Sequence, residues 1–288
     1  MKRMRIALVA AAAASALALA GCATGGGEAE PTEEEAAPTF EAGTTMAELA
    51  EAGEITVGTK FDQPLFGLLD PNTNTPVGFD VEIAKIIAGE LGISEDNINW
   101  VESVSANREP FIENGEVDIV VATYTINDKR KEVVSFAGPY YMAGQSILVL
   151  ADNEDITSEE DLVGQPVCSV TGSTPAQKLT EIGAVPLLTD TYTNCLEPLR
   201  SGEVVAVSTD NVILAGLAAQ NEGEFKVVGE PFTEEPYGIG LALDDTEFRM
   251  WINDVLEASY EDGSYEEAWN STAGTVLPFV EPPAPDRY

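Results

Sequence analysis

Histidine is absent from the 288 residues, which removes imidazole triads, most catalytic zinc sites and the commonest general base from the chemistry open to the chain. Any catalysis would have to rest on carboxylates, lysine, tyrosine or serine. Acidic residues outnumber basic ones 50 to 14, for a net charge of −36. A surface of that sign argues against a nucleic-acid partner. It also makes any cation placed in a concave site informative. Arg130 is the conspicuous cation after the strand-like Ala122-Thr123-Tyr124-Thr125-Ile126; other scarce cations lie in loops, among them Lys60 in Thr59-Lys60-Phe61-Asp62-Gln63-Pro64 and Arg108 in Ser105-Ala106-Asn107-Arg108-Glu109-Pro110. Among the acids, Asp210 follows the small, β-rich run Val204 to Ser208, where a strand ends and ligand groups commonly gather in open α/β sheets.

The start of the chain bears on its compartment. Met1 to Arg5 is a positive segment, and Ile6 to Ala20 is an alanine-rich apolar stretch of signal-peptide length, short for a membrane span. Leu19-Ala20-Gly21-Cys22 resembles the lipobox of bacterial lipoproteins, so residues 1–21 are expected as a signal peptide and Cys22 as the lipid-bearing mature N-terminus. Cleavage there removes Lys2, Arg3 and Arg5 and no acid, taking the net charge from −36 to −39. Residues 22–43, rich in Gly, Glu, Pro and Ala with one aromatic, cannot bury enough surface to fold and are expected as a disordered tether. With Cys22 assigned to lipid, Cys168 and Cys195 remain as a pair in an oxidising compartment. A disulfide is expected, two buried free thiols being the alternative.

The elements that position these residues alternate. Thr44 to Ala52 reads as a short helix stopped by Gly53, and Glu54 to Thr59 as a strand. Val81, Ile83, Ala84, Ile87 and Leu91 form a helical stripe closing at Gly92. Asp118 to Ala122 is an apolar strand, and Asn127 opens a charged turn or helix. A second unit follows the strand Ser146 to Leu150, with a capping pattern at Thr157 to Glu160 ahead of Leu162. It continues with a strand at Val167 to Val170, a helix near 176–182, a strand at Val185 to Leu188, a helix at 195–201 and a strand at Val204 to Val207. Strands at 225–228 and 237–243 come last, then a helix carrying Phe248, Trp251, Ile252, Val255 and Leu256. A final turn carries Tyr265 and Trp269, and both tryptophans are expected in the core. Residues 281–288 are expected as a loose tail. The alternation predicts an α/β fold with largely parallel sheets in two units.

Gly78-Phe79-Asp80-Val81-Glu82-Ile83-Ala84 resembles the signature of the family 3 extracellular solute-binding proteins, the polar amino-acid receptors of ABC importers. Thr123 to Ile126, Arg130, Phe136 to Tyr141, Val170 to Thr174, Ser208-Thr209-Asp210 and Tyr237-Gly238-Ile239 follow in the family's order. The resemblance implies a two-lobed periplasmic-binding-protein fold of type 2, with two crossover hinge strands and the ligand closed between the lobes. Lobe 1 would be residues 45–140 plus 238–280, and lobe 2 residues 145–233. It further implies that Arg130 grips the ligand's α-carboxylate, aided by Thr125 and Thr174, and that Asp210, helped by Thr123, accepts the α-ammonium. Tyr237 sits at the second crossover, where it packs on ligand or lines the hinge. Phe61 and Tyr124 are either walls for the ligand stem or core.

Lys60 and Arg108 lie on loops that reach the cleft in the family, and two cations there would favour a second carboxylate. This pattern is similar to the family's glutamate and aspartate receptors, and Lys60 to Pro64 resembles the glutamate-binding type of actinobacterial importers. The expected ligand is therefore glutamate, with aspartate or glutamine as alternatives. The expected partners are an ABC permease and ATPase, with the membrane held through the lipid. A monomer without metal or organic cofactor is expected. Two other classes compete: a cleft enzyme on the same fold, such as a dehydratase or lyase, and a ligand-gated sensor domain, which would continue into a membrane span.

Overall fold

The computed structural model describes residues 38–288. The expected signal peptide, Cys22 and the tether up to residue 37 lie outside the described residues. Helix α1 (Thr45–Ala52) begins where the Thr44 hydroxyl accepts from the Ala47 amide, and ends where Gly53 takes the left-handed conformation and donates to the Leu49 carbonyl. It buries Met46 and Leu49. After strand β1 (Ile55–Thr59) comes a small antiparallel sheet absent from the sequence reading, β2 (Asp62–Gln63), β3 (Gly67–Asp70) and β4 (Thr75–Val77). Helix α2 (Phe79–Glu90), strand β5 (Ile98–Glu102), helix α3 (Arg108–Glu113) and strand β6 (Ile119–Val120) follow. The charged segment after Asn127 is a single turn, α4 (Asp128–Lys131), capped by the Asn127 side chain on the Arg130 amide.

Strand β7 (Ser135–Ala143) runs through Gly144 into β8 (Gln145–Leu150). The second unit then adds β9 (Pro166–Val170), α5 (Thr174–Glu181), β10 (Val185–Thr189), α6 (Leu196–Ser201), β11 (Ala206–Asp210), α7 (Asn211–Gln220) and β12 (Phe225–Val228). Strand β13 (Glu235–Leu241) leads back to helices α8 (Thr246–Asp262) and α9 (Ser264–Ser271). The capping box before Leu162 pairs Ser158 with Asp161, one residue later than the Glu160 of the sequence pattern.

Two five-stranded sheets result, ordered β5-β1-β6-β13-β7 and β10-β9-β11-β8-β12. Each has a parallel trio at one edge, followed by two strands each paired antiparallel to the one before. The first sheet draws β13 from far along the chain, so it is built from two stretches of sequence. Strands β7 and β13 pair antiparallel along the crossover, from Glu235 opposite Ala143 to Leu241 opposite Ser135. Largely buried on both faces, β6, β8, β9 and β11 read as apolar or small runs, broken only by Gln145 at the start of β8 and Asp210 at the end of β11. Under the first sheet, Phe66 meets Phe79, Tyr141 and Tyr237 edge-on, and Trp269 stacks on Tyr141 at 5.1 Å. Trp269 is fully buried, as expected, and the partly buried Trp251 stacks on Phe248.

Two expectations about the ends change. Phe40, assigned to the tether, packs edge-on against Trp251, so the chain joins the fold by residue 40. The tail is docked rather than loose. The Tyr288 ring lies between Lys131 at 3.8 Å and Arg249 at 4.0 Å, and its hydroxyl accepts from the Phe136 amide. The Asp286 amide donates to the Gly138 carbonyl while its carboxylate pairs with Lys131. The tail thus meets the unpaired edge of β7, and cation–π attraction holds what its composition alone would not. Among the described residues no helix is long and apolar enough to cross a membrane.

Candidate functional site

The Gly78-Phe79-Asp80 motif works one layer behind the cleft. Asp80, buried at the start of α2, accepts from the Thr123 amide at 2.7 Å and from the Tyr140 hydroxyl at 2.6 Å. Thr123 has φ of 44°, a left-handed conformation that a β-branched residue takes only under constraint. The Asp80 bond supplies that constraint and turns the chain out of β6 into the cleft. Burial pushes the Asp80 carboxyl up to about 7, against the pull of its hydrogen bonds and of Lys60 and Arg108.

Arg108 opens α3 with its guanidinium buried. Its Nε donates to the Ser105 carbonyl, and its Nη1 to the carbonyls of Ala122 and Thr123, which leaves Nη2 without a partner among the described residues. It lies 4.2 Å from the Tyr124 ring centroid, and Arg130 shares the same ring at 5.0 Å. Tyr124 is therefore fully buried core that carries two guanidinium groups. Lys60, also buried, donates to the Ser105 hydroxyl at 2.9 Å. Burial, then the neighbouring Arg108, lowers its ammonium to about 7.

Arg130 donates from Nη1 to the Thr125 carbonyl at 2.6 Å and from Nη2 to the Gly172 carbonyl at 3.1 Å, and its Nε pairs with Glu109. The Gly172 bond joins a residue near the first sheet to one following β9 of the second. Thr174 donates to Glu235 at 2.7 Å and approaches the Thr125 hydroxyl at 3.4 Å. Asp210, at the end of β11, accepts from the Tyr237 hydroxyl on Oδ2 at 2.6 Å. Its Oδ1 is buried and has no hydrogen-bond partner among the described residues. Burial, then the nearby Glu235, raises this carboxyl to about 7.

A narrow cavity between the two sheets brings together Arg108, Thr123, Thr125, Thr174 and Asp210. Arg130 lines the wider opening beside it, about 630 Å³, which shares Thr174 with the cavity. Lys60 and Tyr237 are not on the cavity wall: Lys60 reaches it through Ser105, and Tyr237 stands behind Asp210. The Thr123 carbonyl is already taken by Arg108. Phe61 is half-buried and off the wall. The sequence reading missed Ser105, Glu109, Tyr192 and Glu235. Ser105 and Glu109 belong to the same Ser105-to-Pro110 segment as Arg108; Tyr192 and Glu235 carried no signal. Tyr192 reaches the wall from the loop before α6, where its amide donates to Asp62. That loop is tied down by the disulfide between Cys168 of β9 and Cys195, which forms as expected.

The fold is a two-lobed α/β clamp with a buried carboxylate and two arginines at the cleft, the architecture of an extracytoplasmic solute-binding protein. The chain matches the model of the bacterial extracellular solute-binding proteins, family 3, over residues 55–271, and it belongs to that family. The family supplies the extracytoplasmic solute-binding component of amino-acid ABC importers. The chain is 44% identical over 257 residues to the glutamate-binding protein GluB of Corynebacterium efficiens, covering 85% of this chain and 87% of that protein. It is 38% identical to the ABC transporter glutamine-binding protein GlnH of Bacillus subtilis over 228 residues, 78% of this chain and 83% of that one. The solved structure of an ancestral arginine-binding protein bound to glutamine superposes with a TM-score of 0.72 and 36% identity, covering 76% of this chain and 97% of that one.

Proposed function

We propose that the protein captures glutamate in the cleft and delivers it to its importer without chemical change. The observation that carries this reading is the balance of charge at the cavity. Arg130 and Arg108, the latter backed by Lys60, offer cations for two carboxylates, and the unpartnered Oδ1 of Asp210 awaits one ammonium. Each ionised group compensates part of the hydration that glutamate gives up on burial. In this reading Arg130 exchanges its Gly172 carbonyl for the α-carboxylate, with Thr125 and Thr174 as further donors. Asp210, held by Tyr237, receives the ammonium. The clamp has lobe 1 at residues 45–140 plus 238–280 and lobe 2 at 145–233. We also assign Cys22 as the lipid anchor to the extracytoplasmic face, after loss of a signal peptide at residues 1–21.

Calorimetric titration of Arg130→Ala and Arg108→Ala tests the assignment. Arg130→Ala is expected to abolish binding of every amino acid. Arg108→Ala is expected to weaken glutamate by about tenfold to a hundredfold, with glutamine losing far less. Equal losses for glutamate and glutamine would refute the side-chain assignment, and a ligand altered after long incubation would refute the absence of catalysis.

A further inference from the structure

Residues 286–288 reach the element that carries Arg130. Helix α4 is a single turn, Asp128–Lys131, too short to keep its shape by its own backbone bonds. On its inner side the Asn127 side chain caps the Arg130 amide, and the Arg130 guanidinium turns to the Thr125 and Gly172 carbonyls at the cleft. Successive helix residues are set about 100° apart, so Lys131 points elsewhere. There it meets the tail: its Nζ pairs with the Asp286 carboxylate at 3.1 Å and lies 3.8 Å from the Tyr288 ring centroid. The tail is fixed in turn to larger elements. On β7, the Gly138 carbonyl accepts from the Asp286 amide at 2.7 Å, and the Phe136 amide donates to the Tyr288 hydroxyl at 3.0 Å. On α8, Arg287 pairs with Asp254 and Glu257, each at 2.7 Å, and Arg249 lies 4.0 Å from the Tyr288 ring centroid. The tail residues line neither the cavity nor the opening beside it.

Resting on the reading of Arg130 as the α-carboxylate grip, we infer that Asp286 and Tyr288 are positioning residues for that grip. They hold Lys131, fix the roll of α4 and so keep the Arg130 guanidinium aimed at the cleft. Strand β7 and helix α8 are anchored in the core by the buried Phe136 and Phe248, and the tail passes their rigidity to a turn that has little of its own. The α-carboxylate is common to all amino acids, so loosening this strap weakens every ligand alike and leaves the side-chain preference unchanged. Tyr288 is 45% exposed and the Asp286 side chain 55%, so the effect is severalfold rather than complete.

The test uses the full chain carrying Tyr288→Ala, Lys131→Met, both together, or Tyr288→Phe. Glutamate and glutamine are titrated calorimetrically, and hydrogen exchange is followed over residues 128–134 without ligand. Tyr288→Ala and Lys131→Met are each expected to bind both amino acids about twofold to fivefold more weakly, with the ratio between the two unchanged. The double variant is expected to be no weaker than Lys131→Met alone, and Tyr288→Phe, which keeps the ring, to retain most of the affinity. Exchange over residues 128–134 is expected to quicken in Tyr288→Ala. A lower melting temperature with wild-type affinity would reduce the tail to a purely structural role and overturn the inference. So would losses that add in the double variant, a loss confined to glutamate, or unchanged exchange in α4. A wild type that binds no amino acid would overturn the reading of Arg130 instead, and the exchange rates would still decide whether the tail holds α4.

Discussion

Asp210 and Lys60 are buried without an ion-pair partner among the described residues, so ligand binding in the proposed site is expected to depend on pH. In the ligand-free protein burial raises Asp210 to about 7, so below that pH it is mostly neutral. In the proposed role Asp210 receives the ligand ammonium in its ionised form, so binding at lower pH would have to expel a proton. Affinity for every amino acid is therefore expected to fall as pH drops below 7, by up to about tenfold per unit for one proton. Lys60, lowered to about 7, has the opposite sign: above that pH its charge is lost, and the preference for glutamate over glutamine is expected to shrink. Calorimetric titrations between pH 5.5 and 8.5 check both, and a flat profile below 7 would contradict the role of Asp210. Arg108, Arg130 and Asp210 were legible through the family resemblance, which gives their positions a meaning that local pattern alone does not, least of all for one acid among fifty. Ser105, Tyr192 and Glu235 were not, since their importance comes from long-range neighbours such as Lys60, Asp62 and Thr174.

Among the elements, α7 and the turn after β2 approach so closely that a Cβ on Gly216 would lie 2.4 Å from the Pro64 carbonyl oxygen. Alanine favours a helix interior over glycine by about 1 kcal/mol, so Gly216→Ala should not destabilise α7 itself. It should instead hold the two sheets apart. The expected outcome is an unchanged or higher melting temperature without ligand, and glutamate affinity reduced about fivefold to a hundredfold. Undiminished affinity would show that this contact is not required for closure. The disulfide secures the loop that carries Tyr192, and Cys168→Ala with Cys195→Ala is expected to cost about 2 to 4 kcal/mol in chemical denaturation. Helix α1 was readable from its stop at Gly53 and the apolar strands from their runs of apolar residues. The small sheet at residues 62–77 was not, because strands of two to four residues carry too little periodicity. Helix α7 was also missed, its run from Val212 to Leu217 being apolar on most faces.

At the scale of the whole molecule, a net charge of −36 sets a field that an amino acid must cross before any contact forms. Glutamate carries a net negative charge and glutamine none. Salt shortens the screening length from about 30 Å at 0.01 M to about 8 Å at 0.15 M. The association rate of glutamate is therefore expected to rise with salt over that range while that of glutamine stays nearly constant, as stopped-flow tryptophan fluorescence would show. Equal salt dependence for the two would mean that the cleft is shielded from the surface field. Charge also explains the docked tail, whose composition reads as loose but whose Tyr288 finds Lys131 and Arg249, two of the chain's few cations. The central claim, that this clamp selects a dicarboxylic amino acid, is tested most directly by thermal melting with glutamate, aspartate, glutamine, arginine and leucine. Saturation at a hundred times the dissociation constant adds about 2.7 kcal/mol and moves the melting temperature of a chain this size by a few degrees. A shift led by glutamate is the predicted result; a shift led by glutamine or arginine, or none with any amino acid, would contradict it.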